Sequence, residues 1–486
     1  MRSLVVVENT TRWPFAIPEV EVVPARTYLR DGRYADMRNT AVYNVCRHYG
    51  YQQVGYYVSL LAAARGHRPL PSVETLQRLK LAPVIRTLAD DLEGLIRRAL
   101  APLKSDEFEL SVYFGRNPAK RYDRLGQALF NQFPAPFLRA TFARDGRWRL
   151  VTVRAVATSE IPDAHREFVL DRATAFFRRP ARARRAVRSH HYDLAILWSD
   201  QDDDPPSDER AIRRFQRAAR PIGLEATIVG PDDYGRIAEY DALFIRQTTR
   251  INHHTFRFAQ RAAHEGMVVI DDPTSIVRCT NKVYQAELFE RHDIPAPPTV
   301  LLQEGDPLEL VRPLGLPLVL KRPDSSFSEG VVKVNTPDEL AARLPEFFAD
   351  SELVVAQAFT PTDFDWRIGV LDGAPLFACR YHMARGHWQI IAGQVRKRYG
   401  RVEAVPLGDV PRRVLTLAVR AASLIGNGLY GIDLKVMGRR VLVTEVNDNP
   451  SIEAGYEDRA AGLDLYRAIM AWFRRELDRR GETAGR

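Results

Sequence analysis

Hydrophobic positions along this chain change their spacing in an ordered way, and the changes mark out its elements. The apolar run DLAILW, residues 193–198, is short and continuous, as in a strand buried on both faces. The acidic stretch DQDDDPPSD leads from it into a helical pattern over Glu209 to Arg220, with Ser207 or Asp208 placed to cap it. ATIV, ALFIR and MVVID read as further short strands, with a helix near 255–265 between the last two. This alternation predicts a small doubly wound α/β domain over 190–279.

A different rhythm begins at about residue 280. The helix NKVYQAELFERHD sets Val283, Ala286 and Phe289 on one face. PLVLK, the turn-like RPDSSFSEG and VVKV follow, and then a helix opened by Thr336-Pro337-Asp338-Glu339, a good cap with proline in the first turn. After the strand LVVAQAF, DWRIGVLDGAPLFACRYH predicts a hairpin turning on Asp372-Gly373. The helix RRVLTLAVRAASLIG carries Val414, Ala418, Ala421 and Ile425 on one stripe and stops at Gly426 and Gly428. GIDLKVMGRRVLVTEVNDNP then predicts two paired strands joined at Met437-Gly438, so 280–475 reads as an α+β body of two lobes, with 476–486 a polar tail.

Residues 1–180 form a third, α/β region. LVVVEN, FELSVYFG, LRATFA and WRLVTVRAV read as strands, the last two a hairpin near Asp145-Gly146, while GYYVSLLAAARG and KRYDRLGQALFNQF read as helices. No motif there fixes a chemistry, and no internal repeat is visible in the residues.

Composition narrows the function. With 45% hydrophobic and 27% charged residues the chain is globular and long enough for several domains. Cys46, Cys279 and Cys379 are odd in number and widely spaced, which fits neither a disulfide framework nor a metal cage and points to a reducing, cytoplasmic setting. The apolar stretch near the N-terminus is too short for a secretory leader, and no uncharged run is of membrane-spanning length. A net charge of +9 suits either nucleic acid or anionic small substrates. Its densest cluster, RRPARARRAVR at 178–188, joins two differently patterned regions and lacks interleaved aromatics, so it reads as a solvated linker.

The chemistry gathers near the C-terminus. Glu445 and Asn447 lie two apart on one strand and share a face, and the hairpin partner brings Asp433 beside them. Hard oxygen donors of this kind suit Mg²⁺, which takes one or two carboxylates and leaves its other positions to water and phosphates. A solvated strand end is the plain alternative, but the valines 441, 443 and 446 mark a strand buried enough that its acids need partners. Upstream, Lys321 ends a strand and is followed by a small-residue loop whose Ser325, Ser326, Ser328 and Gly330 could cover polyphosphate, with Lys282 a second cation.

Taken in order, Lys282, Lys321, the loop 325–330, VVAQAF, Asp365-Trp366-Arg367, Arg380, Asp433 and Glu445-Val446-Asn447 resemble the ATP-grasp carboxylate-amine ligases, most closely their RimK-like branch, over about 192–475. The resemblance implies an ATP-grasp fold of two lobes clamping ATP, preceded by the small α/β domain, with 1–180 similar to the domain often fused ahead of such ligases. It implies that Lys282 and Lys321 contact the phosphates, that Gln357, Ala358 and Phe359 form the hinge whose backbone reads adenine, and that Arg367 and Arg380 are cleft arginines. Asp433, Glu445 and Asn447 would be ligands for Mg²⁺, two ions with Glu445 bridging them, Mn²⁺ being an alternative ion. The chain departs from the family in having a serine-led phosphate loop with Gly330 its one glycine, and in HWQIIAGQVRKRYG, where His387, Trp388 and Gln389 alter the acceptor side while Arg396, Lys397 and Arg398 keep it basic.

The implied function is an ATP-dependent ligase that activates a carboxylate as an acyl phosphate and joins it to an amine of an amino acid or peptide. No histidine or carboxylate stands out as the base. The partners expected are small carboxylate and amine substrates, with no membrane, and a homo-oligomer is compatible with the sequence. Rival readings are a ligase whose acceptor is a protein terminus, a nucleotide-binding regulatory subunit, and a basic nucleic-acid-binding protein with salt-sensitive binding and no ADP production.

Overall fold

The computed structural model describes residues 2–10, 13, 15, 17, 20–37, 40–81, 85, 92–177, 192–202, 204–305, 308–324, 330–392 and 398–484. The chain divides into two compact units, Met1–Arg188 with Asp232–Glu239, and Ser189–Pro231 with Tyr240–Arg486. The arginine cluster at 178–188 lies outside the described residues.

The first unit holds two sheets. Strands β1 (Arg2–Val7), β2 (Glu21–Pro24), β3 (Thr40–Asn44) and β4 (Arg68–Leu70) form a parallel sheet in the order β2-β1-β3-β4. Strands β5 (Glu107–Tyr113), β6 (Phe137–Asp145) and β7 (Arg147–Ala155) form an antiparallel one. One core joins them, with Val5 and Tyr43 among the same buried residues as Leu110, Phe130 and Phe137. The segment Asp232–Glu239 belongs here because Tyr43 donates its hydroxyl to Glu239 at 3.0 Å.

The second unit opens with β8 (Tyr192–Leu197), β9 (Leu224–Val229), β10 (Ala242–Ile245) and β11 (Val268–Ile270), again parallel, in the order β9-β8-β10-β11. Asp208 caps the helix Glu209–Ala219 by accepting from the Ala211 amide. Next comes an antiparallel lobe in the order β12-β15-β13-β14: β12 (Thr299–Gln303), β13 (Leu318–Lys321), β14 (Val331–Val334) and β15 (Leu353–Ala358). The last lobe is a five-stranded antiparallel sheet, β20-β17-β16-β21-β22, made of β16 (Phe364–Leu371), β17 (Ala374–His382), β20 (Val402–Val405), β21 (Leu429–Met437) and β22 (Arg440–Asp448), with a small ribbon of β18 (Ile391–Ala392) and β19 (Arg398–Tyr399). Asp372 and Gly373 both take positive φ, as a two-residue hairpin turn requires.

Residues 476–484 are not a tail. They complete the helix Leu463–Ala484, whose Tyr466, Ile469, Met470, Phe473 and Leu477 form a buried stripe against Leu194, Ile196 and Phe244.

The two parallel sheets are the same arrangement twice, which the residues alone did not reveal. The helix after β3 is Val54–Ala64 and the helix after β10 is His254–His264; Gly66 and Gly266 end them at the same φ of 68°. Ser72 and Asp272 then cap the next helices. The amide of Val45 donates to Val6 O, and that of Arg246, in the matching place, to Leu197 O. Burial repeats where identity does not: Val58, Leu70 and Leu76 correspond to Phe258, Ile270 and Ile276, all buried, and among residues kept are Ala62, Gly66 and Arg78 as Ala262, Gly266 and Arg278.

Candidate functional site

The five-stranded sheet is two-faced. Trp366, Ile368, Ile432, Leu434 and Val446 point into a core completed by Val414, Ala418 and Ala421 of the helix Arg412–Ser423. The alternate residues carry charge. Arg367 of β16 stands opposite Asp433 of β21, which stands opposite Glu445 of β22. Arg367 holds Asp433 through both carboxylate oxygens, Nη2 to Oδ2 at 2.8 Å. Asn447 Nδ2 reaches Asp433 Oδ2 at 3.2 Å, and Lys282 Nζ lies 3.2 Å from Glu445 Oε1. Lys435, two residues past Asp433 on the same face, bonds Asp365 Oδ1 at 2.6 Å and Thr362 Oγ1 at 2.9 Å.

Two local devices bring the middle of the chain to this face. Asn281 caps the helix Lys282–Arg291, accepting from the amides of Val283 and Tyr284, and its Nδ2 donates to Asp324 Oδ1 at 3.0 Å. Within that helix Gln285, 3% exposed, bonds the edge strand: its Nε2 donates to Val446 O at 2.8 Å and to Cys279 O at 2.6 Å, and its Oε1 accepts from Val446 N at 2.8 Å. Since β22 is the end of the sheet, Gln285 stands in for the neighbouring strand that Val446 lacks. Of the face expected to carry Val283, Ala286 and Phe289, Phe289 is buried and the other two are half-buried, and Gln285 is the helix's second buried residue.

Lys321 closes β13 and lies in the same cleft. Burial lowers its proton affinity to about 8; Glu445 opposes that shift, and the ammonium groups of Lys282 and Lys435 add to it. Glu445 is also lowered, but by charge and not by burial: burial would raise it, and Lys282 and Lys321 hold it below the usual carboxylate range. Burial also works against the Arg367 charge, and Asp433 more than offsets it. Gly330, at φ +64°, accepts the amide of Arg322 at 2.9 Å and closes the mouth of the loop, where a Cβ would come within 2.8 Å of Arg322 Cδ.

One cleft of about 1370 Å³ is lined by Lys282, Lys321, Gly330, Gln357, Ala358, Phe359, Arg367, Asp433, Glu445 and Asn447 together. Ser325, Ser326 and Ser328, with Arg396 and Lys397, lie outside the described residues. In the segment expected to be the hinge, the amides of Ala358 and Phe359 donate to Pro298 O and Pro317 O, and Ala358 O accepts from Thr360 Oγ1 at 3.3 Å. Trp388 and Gln389 line the cleft, and Trp388 meets the Phe359 ring edge-on at 5.7 Å.

Arg380 is a correction. It pairs with Trp366 in the sheet register, so it shares the core-side face and not the face of Arg367. Its guanidinium lies 4.9 Å from the Trp366 ring and 5.2 Å from the Phe364 ring, 3.5 Å from Glu403, and it does not line the cleft. Lys435 and Gln285 were not anticipated; the first was legible from its two-residue spacing from Asp433.

Two carboxylates and an amide oxygen fit Mg²⁺ in the presence of phosphate. Among the described residues no three His, Cys, Asp or Glu side chains converge to hold an ion. No helix of the described residues is long and apolar enough to cross a membrane.

The chain is similar to known proteins along most of its length. Residues 25–172 match the family described as RimK-like ATPgrasp N-terminal domain, and 279–473 the RimK-like ATP-grasp domain. The alpha-aminoadipate–LysW ligase LysX of Saccharolobus solfataricus is 30% identical over 193 residues, 38% of this chain and 67% of that protein. A probable alpha-L-glutamate ligase of Teredinibacter turnerae is 26% identical over 51% of this chain and 81% of its own length. The ribosomal protein bS6–L-glutamate ligase of Salmonella schwarzengrund is 24% identical over 49% and 78%.

Proposed function

Because the chain belongs to the RimK-like ATP-grasp family, we propose that its cleft binds ATP with divalent metal and uses it to join a carboxylate to an amine. The chain is an ATP-dependent ligase of the carbon–nitrogen bond-forming class. The γ-phosphoryl group passes to the carboxylate oxygen, the amine nitrogen attacks the acyl phosphate carbon, and ADP, phosphate and an amide result. The observation that carries this reading is the single cleft in which Lys282, Lys321, Arg367 and Lys435 face Asp433, Glu445 and Asn447.

The side chains divide the work. Lys321 and Lys282 hold the phosphates, and a polyanion drawn against Lys321 restores the charge that burial discourages. Arg367, kept protonated by Asp433, is placed to meet charge developing on the transferred group. Asp433, Glu445 and Asn447 would hold Mg²⁺, two ions being the expected number and Mn²⁺ able to substitute, and the metal would neutralise phosphate charge. The carbonyls of the Gln357–Phe359 segment and the Phe359 ring form the wall offered to adenine. Arg380 has no role in this scheme.

Incubation with Mg-ATP and a panel of amino acids and short peptides, with ADP release and product mass followed together, tests the reading. Absence of heat on titrating Mg-ATP, or absence of ADP with every acceptor including protein extracts, refutes it. A second reading, with one substrate carried on a protein, is supported by the relatives named for LysW and bS6. It predicts a mass increase on a protein in place of a free product.

A further inference from the structure

Charge in the cleft is arranged unevenly. Around Glu445 each acid of the phosphate-facing sheet has a cation against it. At the other end, where the segment after β22 meets the segment before the helix Glu209–Ala219, Asp208, Asp448, Glu453 and Glu457 line the wall. Asp448 is 9% exposed, and its Oδ2 is buried with no hydrogen-bond partner. Behind it Asp271, 1% exposed, has neither carboxylate oxygen bonded. The Glu453 carboxylate makes no hydrogen bond or ion pair among the described residues, whereas Glu457 accepts from Tyr381 and the Glu453 amide.

The cation buried there attracts these acids at longer range but hydrogen-bonds none of them. Arg246, fully buried, donates to Ser207 Oγ, Asn449 Oδ1, Pro206 O and Pro450 O, all neutral acceptors. Burial, then the like charges of Glu457 and Asp208, push the Glu453 carboxyl up to about 7, against the pull of Arg246. A buried carboxyl without a partner is costly as an anion, so it keeps its proton until a cation arrives. Arg250 and Arg459, exposed on the same wall, suit a carboxylate.

We propose that this acidic end is the amine subsite and that it selects an amine carrying a second cationic group, a basic amino acid or a diamine, over an acidic amino acid. This rests on the ligase reading and departs from the glutamate and aminoadipate in the relatives' names. Asp448 and Glu453 supply the acceptors for the ammonium groups, while the carboxylate to be activated meets the cationic sheet.

The test is calorimetric titration of the full chain, loaded with magnesium and a non-hydrolysable ATP analogue, with arginine, lysine, 1,4-diaminobutane and glutamate separately. At least one cationic amine binds tenfold or more tightly than glutamate, and Glu453→Gln weakens it about tenfold while the ATP analogue binds within twofold of wild type. Stronger binding of glutamate, no binding of any amine, or a cation affinity indifferent to Glu453→Gln overturns the proposal. Failure of the analogue itself to bind wild-type protein overturns the ligase reading instead, and the inference with it. The wild-type selectivity stands without any variant, so a misfolded Glu453→Gln does not rescue or sink it.

Discussion

Replacing Gln285 by leucine keeps its volume and removes the joint between the helix Lys282–Arg291 and the edge strand β22. Three hydrogen bonds vanish, at 2.6, 2.8 and 2.8 Å, and leave Val446 N, Val446 O and Cys279 O buried without this partner. At about 1 kcal/mol net for each bond, the loss is about 3 kcal/mol. For a cooperative unit of this size that corresponds to a fall in Tm of roughly 5 °C. The same change loosens Lys282 from Glu445, since the helix that carries one is tied through Gln285 to the residue beside the other. Thermal and urea denaturation followed by circular dichroism measure the first effect, and calorimetry with Mg-ATP the second. A loss below about 1 kcal/mol, or weakened nucleotide binding in a variant of unchanged stability, would refute the claim that Gln285 is the missing strand partner of Val446.

The other predictions concern the charged face directly. Glu445→Gln retains the fold and lowers ATP turnover at least about a hundredfold, roughly 2.7 kcal/mol of barrier, and near-normal ADP production in that variant refutes the metal assignment. Arg367→Ala loses turnover to a similar extent, whereas Arg380→Ala stays within about threefold in both kcat and KM for ATP; equal losses in steady-state assays would put Arg380 back in the cleft. Lys321 in the folded chain gives up its proton near 8, below its ordinary value of 10.5, so between those values the unfolded chain binds the extra proton and this group's contribution to stability rises with pH. Affinity for metal-free ATP runs the opposite way, falling above about pH 8 as the ammonium is lost, and Lys321→Arg flattens the profile; a flat wild-type profile removes Lys321 from the phosphates.

What could be read from residues alone was whatever local spacing encodes. Alternation put Glu445 and Asn447 on one face and the hairpin put Asp433 beside them, so the oxygen donors were legible before any coordinates. The same rule, carried across the strand pair, separates Arg367 from Arg380, but only once the register Trp366 to Arg380 is known. Gln285 was hidden because its partner Val446 lies far along the chain, and a glutamine within an amphipathic helix carries no mark of what it bonds. The helix through 476–484 was masked by its many charges, although Phe473 and Leu477 keep the four-residue spacing of its buried stripe. The recurrence of the parallel sheet was masked because packing conserves which positions are inside, not which residue fills them.

That recurrence sets a problem for the chain while it folds. Two sets of four parallel strands, each closed by long-range pairing, offer β1 and β8 the same kind of neighbour in β3 and β10. Mispairing between them would yield a trapped, exchange-prone species of the sort multidomain chains form. The copies differ at one buried place: that of Val45 in one is taken by Arg246 in the other, a guanidinium that an apolar slot would reject. A guanidinium sunk among neutral oxygens thus makes the two sheets non-interchangeable at that position.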